Sequence, residues 1–313
     1  MKLNHKRAFG MILSLWVAGA AHAQVIGYWN FEEKLPGNAA DITTNAIADI
    51  SGNFHPGTIS DTGVFYAAGN TNYAGASALE FTSAPNHVAV PDPTGVFNFS
   101  SAQSVTVEAM IKTVTIGQDG VGALVCKQGA SPGEWWWRIN ATGTQQFFVD
   151  DGTGSRNVSG TKKLNDGRWH HVAAVFDATA QQLRVYVDYI QDGPTVTTTY
   201  SSGAPIGNAK DLWIGAFQTG NREFAGDIDF VRISASALAP ADFVQPQTYI
   251  TGVVPQSGSG FLSVTNAAGF EVKSPAVGVL TNNIHVVSNG IDISGQLLFS
   301  GNANDWLVSL PAL

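Results

Sequence analysis

The stretch that decides the fold is Leu164-Asn165-Asp166-Gly167-Arg168-Trp169-His170-His171-Val172-Ala173-Ala174-Val175-Phe176-Asp177, followed by Gln182-Leu183-Arg184-Val185-Tyr186-Val187-Asp188. Asp166-Gly167 is a tight-turn dipeptide, and the runs beside it are short, alternating and rich in β-branched or aromatic residues. This pattern predicts a strand, a turn, a strand, a second turn and a third strand.

Similar runs recur along the chain between clusters of Gly, Asn, Asp and Pro, and long helical patterns are absent. The chain contains 34 Gly, and only 13% of its residues are charged. Many short strands separated by turn signals predict an all-β sandwich. The predicted strands include 25–31, 78–81, 87–90, 104–112, 122–127, 135–140 and 145–150, and the predicted helical turn is 239–243.

Residues 1–23 have the features of a secretory signal peptide. Lys2, Lys6 and Arg7 precede a short apolar run, and Ala21-His22-Ala23 forms an A-x-A cleavage site before Gln24. An anchor helix is the alternative, but a membrane span needs about 20 apolar residues. We therefore expect an exported protein, secreted or at the cell surface, that is not inserted in a membrane after signal removal.

The exported chain would be acidic and would carry one cysteine. The full sequence has 16 basic and 24 acidic residues, and removal of the signal leaves 13 basic residues and a net charge of −11. Such a surface repels nucleic acid and anionic lipid, so neither is expected as a partner, whereas neutral glycans and calcium are compatible with it. Cys126 has no intrachain disulfide partner, and its apolar neighbours predict a buried thiol.

Motifs between residues 25 and 243 resemble, in the expected order, the laminin G-like, concanavalin A-like jelly-roll family. The 164–188 stretch is similar to the family's core hairpin, and 224–233 is similar to its closing strand. The resemblance implies a jelly-roll domain over residues 24–246 whose first and last strands are neighbours. Met110, Phe230 and Tyr189 stand where the family has Trp, Glu and Gly, and Tyr189 implies a different turn. The other matching segments are 27–33, 49–53, 78–81, 87–90 and 105–112.

Residues 247–313 are predicted to form a separate, small or truncated β-sandwich module. A boundary falls near Pro246, and 255–260 has the composition of a linker or hairpin loop. Residues 283–294 resemble short immunoglobulin-like modules, and the predicted strands are 261–264, 269–273, 283–287 and 296–299. Because the chain ends on an apolar run without the closing strands of such a module, we expect a partial module of a longer polypeptide. A complete small β-domain is the alternative.

Four oxygen-bearing side chains form a candidate metal site. Glu32, Asp49 and Asn53 lie near the amino end, and Asp229 lies in the last predicted strand. The resemblance implies that these two regions are adjacent, and oxygen ligands on loops suit calcium. We expect a structural calcium ion that holds the two ends of the domain together. The alternative is that Asp49 forms an Asx turn and Asp229 supports the strand ladder.

Alternation along the strands also predicts a candidate glycan surface. Trp135, Trp137 and Ile139 share one apolar face, so Trp136 and Arg138 point to the opposite face. Sugar rings stack on aromatic rings while their hydroxyls bond to polar groups. Ordinary packing against loops is the alternative for any single residue. The candidate ligand-binding residues are Trp136, Arg138, Phe148, Asp150, Tyr186 and Trp213.

The motifs of common hydrolases are missing from the sequence. Glycanases of similar fold carry an E-x-D-x-E triplet, which does not occur here, and neither G-x-S-x-G nor H-E-x-x-H is present. Asp227 and Asp229 share a face but belong to the strand assigned a structural role. Adjacent strand residues face opposite ways, so His170 and His171 are predicted to be structural residues that cannot chelate one ion together.

The sequence therefore predicts a non-catalytic binding module, stabilised by calcium, that recognises an extracellular polysaccharide or another glycan. The alternative is an adhesion or surface-display domain that binds a cell-surface protein or nothing specific. A glycoside hydrolase is the third hypothesis.

Overall fold

The computed structural model describes residues 24–73, 75–82, 86–117, 120–129, 133–201, 203–218, 222–247, 249–254, 269–273, 279–288, 291–303 and 305–310. The signal peptide predicted over residues 1–23 and the strand predicted at 261–264 lie outside the described residues. The regular secondary structure of the described residues is almost entirely β-strand, with 3-10 turns at Pro240–Asp242, Thr281–Asn283 and Ser294–Gln296. The all-β prediction is confirmed, and no helix in the described part of the chain is long and apolar enough to span a bilayer.

The jelly roll is built from eighteen described strands. In chain order they are β1 (Val25–Trp29), β2 (Thr58–Ile59), β3 (Phe65–Ala68), β4 (Ser77–Phe81), β5 (Val88–Val90), β6 (Phe99–Ser100), β7 (Val105–Lys112), β8 (Gly122–Lys127), β9 (Glu134–Ile139), β10 (Gln145–Asp150), β11 (Ser155–Ser159), β12 (Trp169–Asp177), β13 (Gln182–Val187), β14 (Ile190–Gln191), β15 (Val196–Thr197), β16 (Pro205–Ile206), β17 (Leu212–Ile214) and β18 (Gly226–Ser234).

These strands form two large antiparallel sheets. The nine-stranded sheet has the order β14-β13-β12-β7-β18-β4-β3, with β1 paired to β18 and β15 paired to β13. The seven-stranded sheet has the order β11-β10-β9-β8-β17-β5-β2, and β6 pairs separately with β16. The first and last strands of the domain are therefore neighbours, as the resemblance implies.

The inner faces of the two sheets pack together and form one core. On β9, Trp135, Trp137 and Ile139 are fully buried in this core, whereas Trp136 belongs to a separate cluster on the outer face and Arg138 is half-buried. Burial of apolar surface of this kind is the main favourable contribution to folding. The predicted division of the Trp135–Ile139 run between the two faces is confirmed.

The hairpin predicted over 168–188 is present, with one difference at its start. β12 pairs with β13 from Val172↔Val187 to Asp177↔Gln182. Residues 160–168 form a loop, so no strand lies directly before Asp166, and the preceding strand, β11, belongs to the other sheet. The first of the three strands predicted in this stretch is therefore wrong, because the chain crosses here from one sheet to the other.

The turn after β13 is tight and contains two residues with positive φ. Asp188 and Tyr189 have φ values of 49° and 68° and lie between the paired residues Val187 and Ile190. Two positive φ values define a type I′ hairpin turn, so Tyr189 adopts the conformation that glycine usually supplies. The expectation that this turn differs from that of the family stays a prediction. The Tyr189 hydroxyl donates to the Val244 carbonyl at 2.8 Å, a contact that offsets the backbone strain.

The other two departures from the family pattern face each other. Phe230 on β18 and Met110 on β7 are register partners, and both are 2% exposed. Together with Tyr73 they form a small apolar cluster on the outer side of the nine-stranded sheet. Met110 and Phe230, which replace the Trp and Glu of the family pattern, therefore bury each other's apolar side chains at this point of the sheet.

Residues 235–247, here called the strap, cross the outer face of the nine-stranded sheet. Leu238 and Phe243 of the strap pack on Ala173, Val175 and Tyr186. This contact removes the outer apolar side chains of β12 and β13 from water. The predicted helical turn is present in the strap at Pro240–Asp242, with Pro at its first position.

The strap is also held by a buried carboxylate. Glu108 on β7 is fully buried and accepts a hydrogen bond from the Val244 backbone N–H at 2.8 Å. It lies 3.0 Å from His171 Nε2 and forms an ion pair with Arg232 at 2.5 Å. His171 is thus a structural residue, in agreement with the sequence prediction.

Beyond the strap, the described residues form a small separate sheet. Its strands are β19 (Tyr249–Val254), β20 (Gly269–Lys273), β23 (Leu298–Asn302) and β24 (Asp305–Ser309), in the order β19-β20-β24-β23, while β21 (Val287–Ser288) pairs with β22 (Ile291–Asp292). Val272, Ile284, Leu297 and Val308 form its apolar cluster. The strand predicted at 283–287 is wrong, because a 3-10 turn at Thr281–Asn283 turns the chain there.

A buried ion pair ties two loops to the seven-stranded sheet. Lys127 Nζ lies 2.6 Å from Asp92 Oδ2, and both side chains are fully buried. Lys127 also donates to the carbonyls of Asn208 and Lys210 at 2.8 and 2.7 Å. Asp92 accepts from the backbone N–H of Val96 at 2.7 Å.

Removing one partner of this pair is expected to be costly. Lys127→Met should lower the free energy of unfolding by about 3–5 kcal/mol, because it leaves the Asp92 charge buried without its partner. The matched control is Lys34→Met, which removes the exposed pair with Asp41 and should cost less than about 1 kcal/mol. Urea unfolding measures both, and equal losses would contradict the assignment.

A second prediction concerns the stability of the 164–188 hairpin as a function of pH. His170 is 5% exposed, and its ring nitrogens lie 2.9 Å from Asp188 and 3.2 Å from Asp166. The hydrogen bond to Asp188 raises the pKa of His170. The stabilisation should be fully present below the unfolded pKa of about 6.5 and be lost as pH rises through the higher folded value.

Urea midpoints between about pH 5 and about pH 9 test this prediction. His170→Gln should flatten the profile while leaving the rest of the pH dependence in place. A wild-type profile that matches that of the variant would show that His170 does not titrate as proposed.

Candidate functional site

The outer face of the seven-stranded sheet carries a row of aromatic side chains. Trp136 on β9 is the register partner of Phe148 on β10 and of Cys126 on β8, and Cys126 is in turn the partner of Trp213 on β17. Directly opposed residues in a sheet lie on the same face, so the row crosses four strands. We call Trp136, Arg138, Gln146, Phe148 and Trp213 the aromatic face.

The centre of the aromatic face is a stack of two rings. Trp136 and Phe148 lie parallel, 4.5 Å apart and at an interplanar angle of 1°. The edge of Phe217, from the loop after β17, meets Trp136 at 5.6 Å. Trp136 is only 8% exposed, so it lies beneath the stack, and the half-buried Phe148 provides most of the exposed ring surface. Phe217 was not identified from the sequence, because no strand pattern marks its loop.

A polar row runs beside the stack. The Arg138 guanidinium lies 4.3 Å from the Trp136 ring and donates twice to Gln146 Oε1, at 2.9 and 2.6 Å. Gln146 in turn donates to Asn157 and Ser159 on β11, each at 3.1 Å. Within the described chain, no carboxylate forms an ion pair with Arg138. Burial and the nearby Arg222 charge lower the pKa of Arg138.

Two carboxyl groups lie at the opposite end of β9 and β10. Asp150 is the register partner of Glu134, and its Oδ1 accepts the Gly152 N–H at 2.6 Å. Burial raises the pKa of Glu134, and the Asp150 charge adds to that effect. The aromatic stack therefore has a guanidinium on one side and acidic groups on the other, which together can donate to and accept from the hydroxyls of a ligand.

Trp213 ends the aromatic row. Its ring is stacked on His87, with centroids 3.6 Å apart and an interplanar angle of 19°, and its side chain is half-buried. Cys126 beneath the row is fully buried, as predicted, and burial raises the pKa of its thiol to about 12. The row therefore exposes aromatic surface and no reactive thiol.

Tyr186 is not part of this face. It lies on β13 of the other sheet, where its ring meets Phe243 of the strap at 5.3 Å and is 7% exposed. The alternation of side chains along β13 correctly predicted that Tyr186 faces away from Val185 and Val187. That alternation does not show which of the two sheets the strand joins. Its grouping with the ligand-binding residues is therefore corrected.

The predicted metal ligands fall into two places. Glu32 and Asp229 both meet the described residues 69–73 and 75–77, which comprise the β3–β4 loop and the first residue of β4 and are here called the 69–77 loop. Glu32 accepts the N–H groups of Ala76 and Ser77, each at 3.0 Å. Asp229 Oδ2 accepts the Asn70 N–H at 2.5 Å. Burial raises the pKa of Asp229 to about 7, and the Glu32 charge contributes to the rise although the Asn70 N–H opposes it.

Two glycines make room for these carboxylates. A Cβ on Gly69 would lie 2.9 Å from Asp229 Oδ2, and a Cβ on Gly75 would lie 2.0 Å from Glu32 Oε1. Gly75 also has a positive φ of 127°. The glycine-rich loop was not identified from the sequence, although its composition was the available signal.

Asp49 and Asn53 lie elsewhere. The Asp49 oxygens accept four hydrogen bonds, from the N–H groups of Tyr28, Ser51 and His55 and from the Ser51 hydroxyl, all at 2.9 Å. The Asn53 amide donates to the carbonyls of Val25 and Ile26. The expected convergence of four oxygens is therefore corrected, because this pair is used to tie its own loop to β1.

The described side chains do not form a ready-made metal cluster. Among them, no group of three or more His, Cys, Asp or Glu residues is placed to hold a metal. Glu32 and Asp229 supply carboxylate oxygens beside a backbone loop, which is the type of ligand that calcium takes together with backbone carbonyls and water. Asp49 and Asn53 are engaged in their own loop and do not contribute to such a set.

Asp227 and Asp229 do not form a carboxylate pair. A register shift between Ile228 and Phe230 separates their environments. Asp227 forms an ion pair with Lys112 at 2.8 Å, whereas Asp229 turns to the 69–77 loop.

The chain is similar to several solved structures. Domain 4 of AbnA, a GH43 extracellular arabinanase from Geobacillus stearothermophilus, in complex with arabinotriose, is 21% identical with a TM-score of 0.49, over 71% of this chain and 97% of that one. The Ruminococcus gnavus IT-sialidase CBM40 bound to α2,3-sialyllactose is 12% identical with a TM-score of 0.41, over 53% and 94%. The binding domain of Paraclostridial Mosquitocidal Protein 1 is 14% identical with a TM-score of 0.48, over 83% and 67%.

A comparison with curated proteins found no match. A comparison with protein-family models matches residues 82–243, slightly more than half of the chain, to the laminin G model of the concanavalin A-like lectin/glucanases superfamily. The matched segment runs from the end of β4 to the strap and includes every strand of the aromatic face. The chain therefore belongs to the concanavalin A-like lectin/glucanases superfamily.

Proposed function

We propose that the protein is an exported, non-catalytic module that binds extracellular polysaccharide through the aromatic face. The observation that carries the proposal is the parallel Trp136–Phe148 stack beside Arg138, which has no carboxylate partner within the described chain. Aromatic surface next to polar groups suits a sugar ring, whose C–H face packs on the aromatic ring while its hydroxyls form hydrogen bonds.

The covering of the two sheets supports this choice of face. The strap buries the outer apolar side chains of β12 and β13, so they are not available to a ligand. Phe148, Arg138 and Trp213 on the other sheet remain half-exposed. The aromatic face is thus the sheet surface on which extended polysaccharide could lie across several strands.

We also propose that a calcium ion binds between Glu32 and Asp229. The geometric support is that both carboxylates accept hydrogen bonds from backbone N–H groups of the 69–77 loop. Gly69 and Gly75 leave the space in which the carboxylates lie. An ion there would neutralise two carboxylates and connect β18, the segment after β1 and the β3–β4 loop. Its role in this proposal is structural.

Ligand binding is expected to depend on Phe148. Phe148→Ala should weaken polysaccharide binding about tenfold, because the stacking surface is lost while the backbone pairing of β10 remains. Phe65→Ala, which removes a partly exposed aromatic side chain on the other sheet, is the matched control and should bind like the wild type. Isothermal titration with polysaccharides selected on a glycan array is the measurement.

Three outcomes would contradict the proposal. Equal affinities for Phe148→Ala and wild type would exclude the aromatic face. A lack of binding to all plant, algal and microbial polysaccharides tested would favour the adhesion or surface-display function. Release of sugar from any of them would favour a hydrolase.

Calcium should raise the melting temperature relative to a chelator. The gain should be larger at about pH 8 than at about pH 5, because Asp229 carries a proton at the lower pH and must lose it to bind the ion. Asp229→Asn should abolish the gain. Asp49→Asn is the control: it should lower the melting temperature with the calcium gain unchanged, and identical melting with calcium and chelator would overturn the site.

A further inference from the structure

A cleft opens at one end of the sandwich, away from the aromatic face. It encloses about 480 Å³ between the start of β1, the end of β18, the start of β7 and the loops 53–55 and 95–99. None of its lining residues belongs to the aromatic face. Its volume is in the range of small-molecule sites.

The lining combines aromatic rings with uncharged polar groups. Phe97 and Phe99 contribute apolar surface, and His55, Asn98 and Gln103 contribute polar atoms. No Asp, Glu, Lys or Arg is among the lining residues within the described chain. Charged ligands would enter such a cleft without a counter-charge, so the lining favours a neutral, hydroxyl-rich ligand.

Several polar atoms in the cleft retain hydrogen-bonding capacity. Asn98 uses its Oδ1 to accept the Asn208 N–H, and Gln103 uses its Oε1 to accept the Ser100 N–H. Their amide NH₂ groups are thus left as donors. The His55 ring meets Phe97 edge-on at 5.2 Å, and within the described chain it has no hydrogen-bond partner. An imidazole offers one donor and one acceptor in its neutral form.

An exposed aromatic residue is the chain neighbour of His55, one of the residues that line the cleft. Phe54 precedes His55, is 85% exposed and has a φ of 62°. A bulky residue with positive φ is an outlier, and such strained positions occur most often where the chain presents a side chain for function. The Asp49 hydrogen bonds to Ser51 and His55 hold the loop in this shape.

A second, smaller cleft lies on the other side of the same loop. It encloses about 380 Å³ and is lined by Phe54, His55 and three prolines, Pro56, Pro91 and Pro93. His55 is common to both clefts. Asp92 is the acidic residue in its lining, and that carboxylate is paired with buried Lys127.

We propose that the Phe54–His55 loop and these clefts form a second ligand site, which takes the terminal unit of a neutral oligosaccharide. The ring of the sugar packs on the exposed Phe54, beside the His55 that both clefts share, and its hydroxyls bond to His55, Asn98 and Gln103. The site is independent of the aromatic face, so one module can hold a chain end and a neighbouring chain at once.

Amide chemical shifts of the ¹⁵N-labelled full chain test the proposal. The probes are glucose, galactose, mannose and arabinose, their disaccharides, and sialyllactose as the anionic comparison. Neutral sugars should shift the amides of residues 53–55, 97–99 and 103. Phe54→Ala and Gln103→Ala should each weaken that response about tenfold, and Phe148→Ala should leave it unchanged.

The outcomes separate this site from the aromatic face. Shifts at the cleft without shifts at Phe148 or Trp213 support the second site even if the proposed polysaccharide face fails. Shifts confined to the aromatic face, no shifts at the cleft, or a stronger response to sialyllactose than to neutral sugars would overturn the second site. Because Phe54 is on the surface, the spectrum of Phe54→Ala should stay dispersed, and Gln103→Ala provides an independent reading.

Discussion

The contact between the inner faces of the two large sheets is the interaction on which the rest of the structure depends. Each strand gives half of its side chains to that contact, and the tryptophans Trp29, Trp135 and Trp137 are fully buried in it. The other half of the side chains must face outward, because the two faces of a strand alternate. The molecule therefore has two outer sheet faces, and they differ in how far other parts of the chain cover them.

One outer face is covered by the strap, and the other carries the partly exposed aromatic face. The strap covers the nine-stranded sheet and is held there by Glu108, a buried carboxylate that contacts His171, Arg232 and the Val244 backbone. Such a charge is tolerated only because its partners satisfy it. The seven-stranded sheet has no comparable cover among the described residues, and there the alternation of β9 and β10 brings Trp136, Phe148 and Arg138 together.

The loops show how similar residues acquire different roles. Asp49 and Asp229 are both acidic residues near the junction of the first and last strands. Asp49 is saturated by four hydrogen bonds and shapes the loop that presents Phe54. Asp229 accepts one hydrogen bond, from the Asn70 N–H, and burial raises its pKa to about 7. The number of backbone N–H groups that a loop directs at each carboxylate therefore distinguishes the two residues.

Alternation with period two and turn residues are local properties of the chain, so most of the long strands, the sandwich and the two sides of each strand could be predicted from the sequence. The same alternation places Trp136, Arg138 and Phe148 on an outer face. The folded structure was needed to show that Tyr186 lies on the other sheet, that Asp49 and Asn53 lie apart from Glu32 and Asp229, and that Phe217 joins the aromatic stack. Those relations depend on which distant segments pair and on where loops close, and no local pattern in the sequence carries that information.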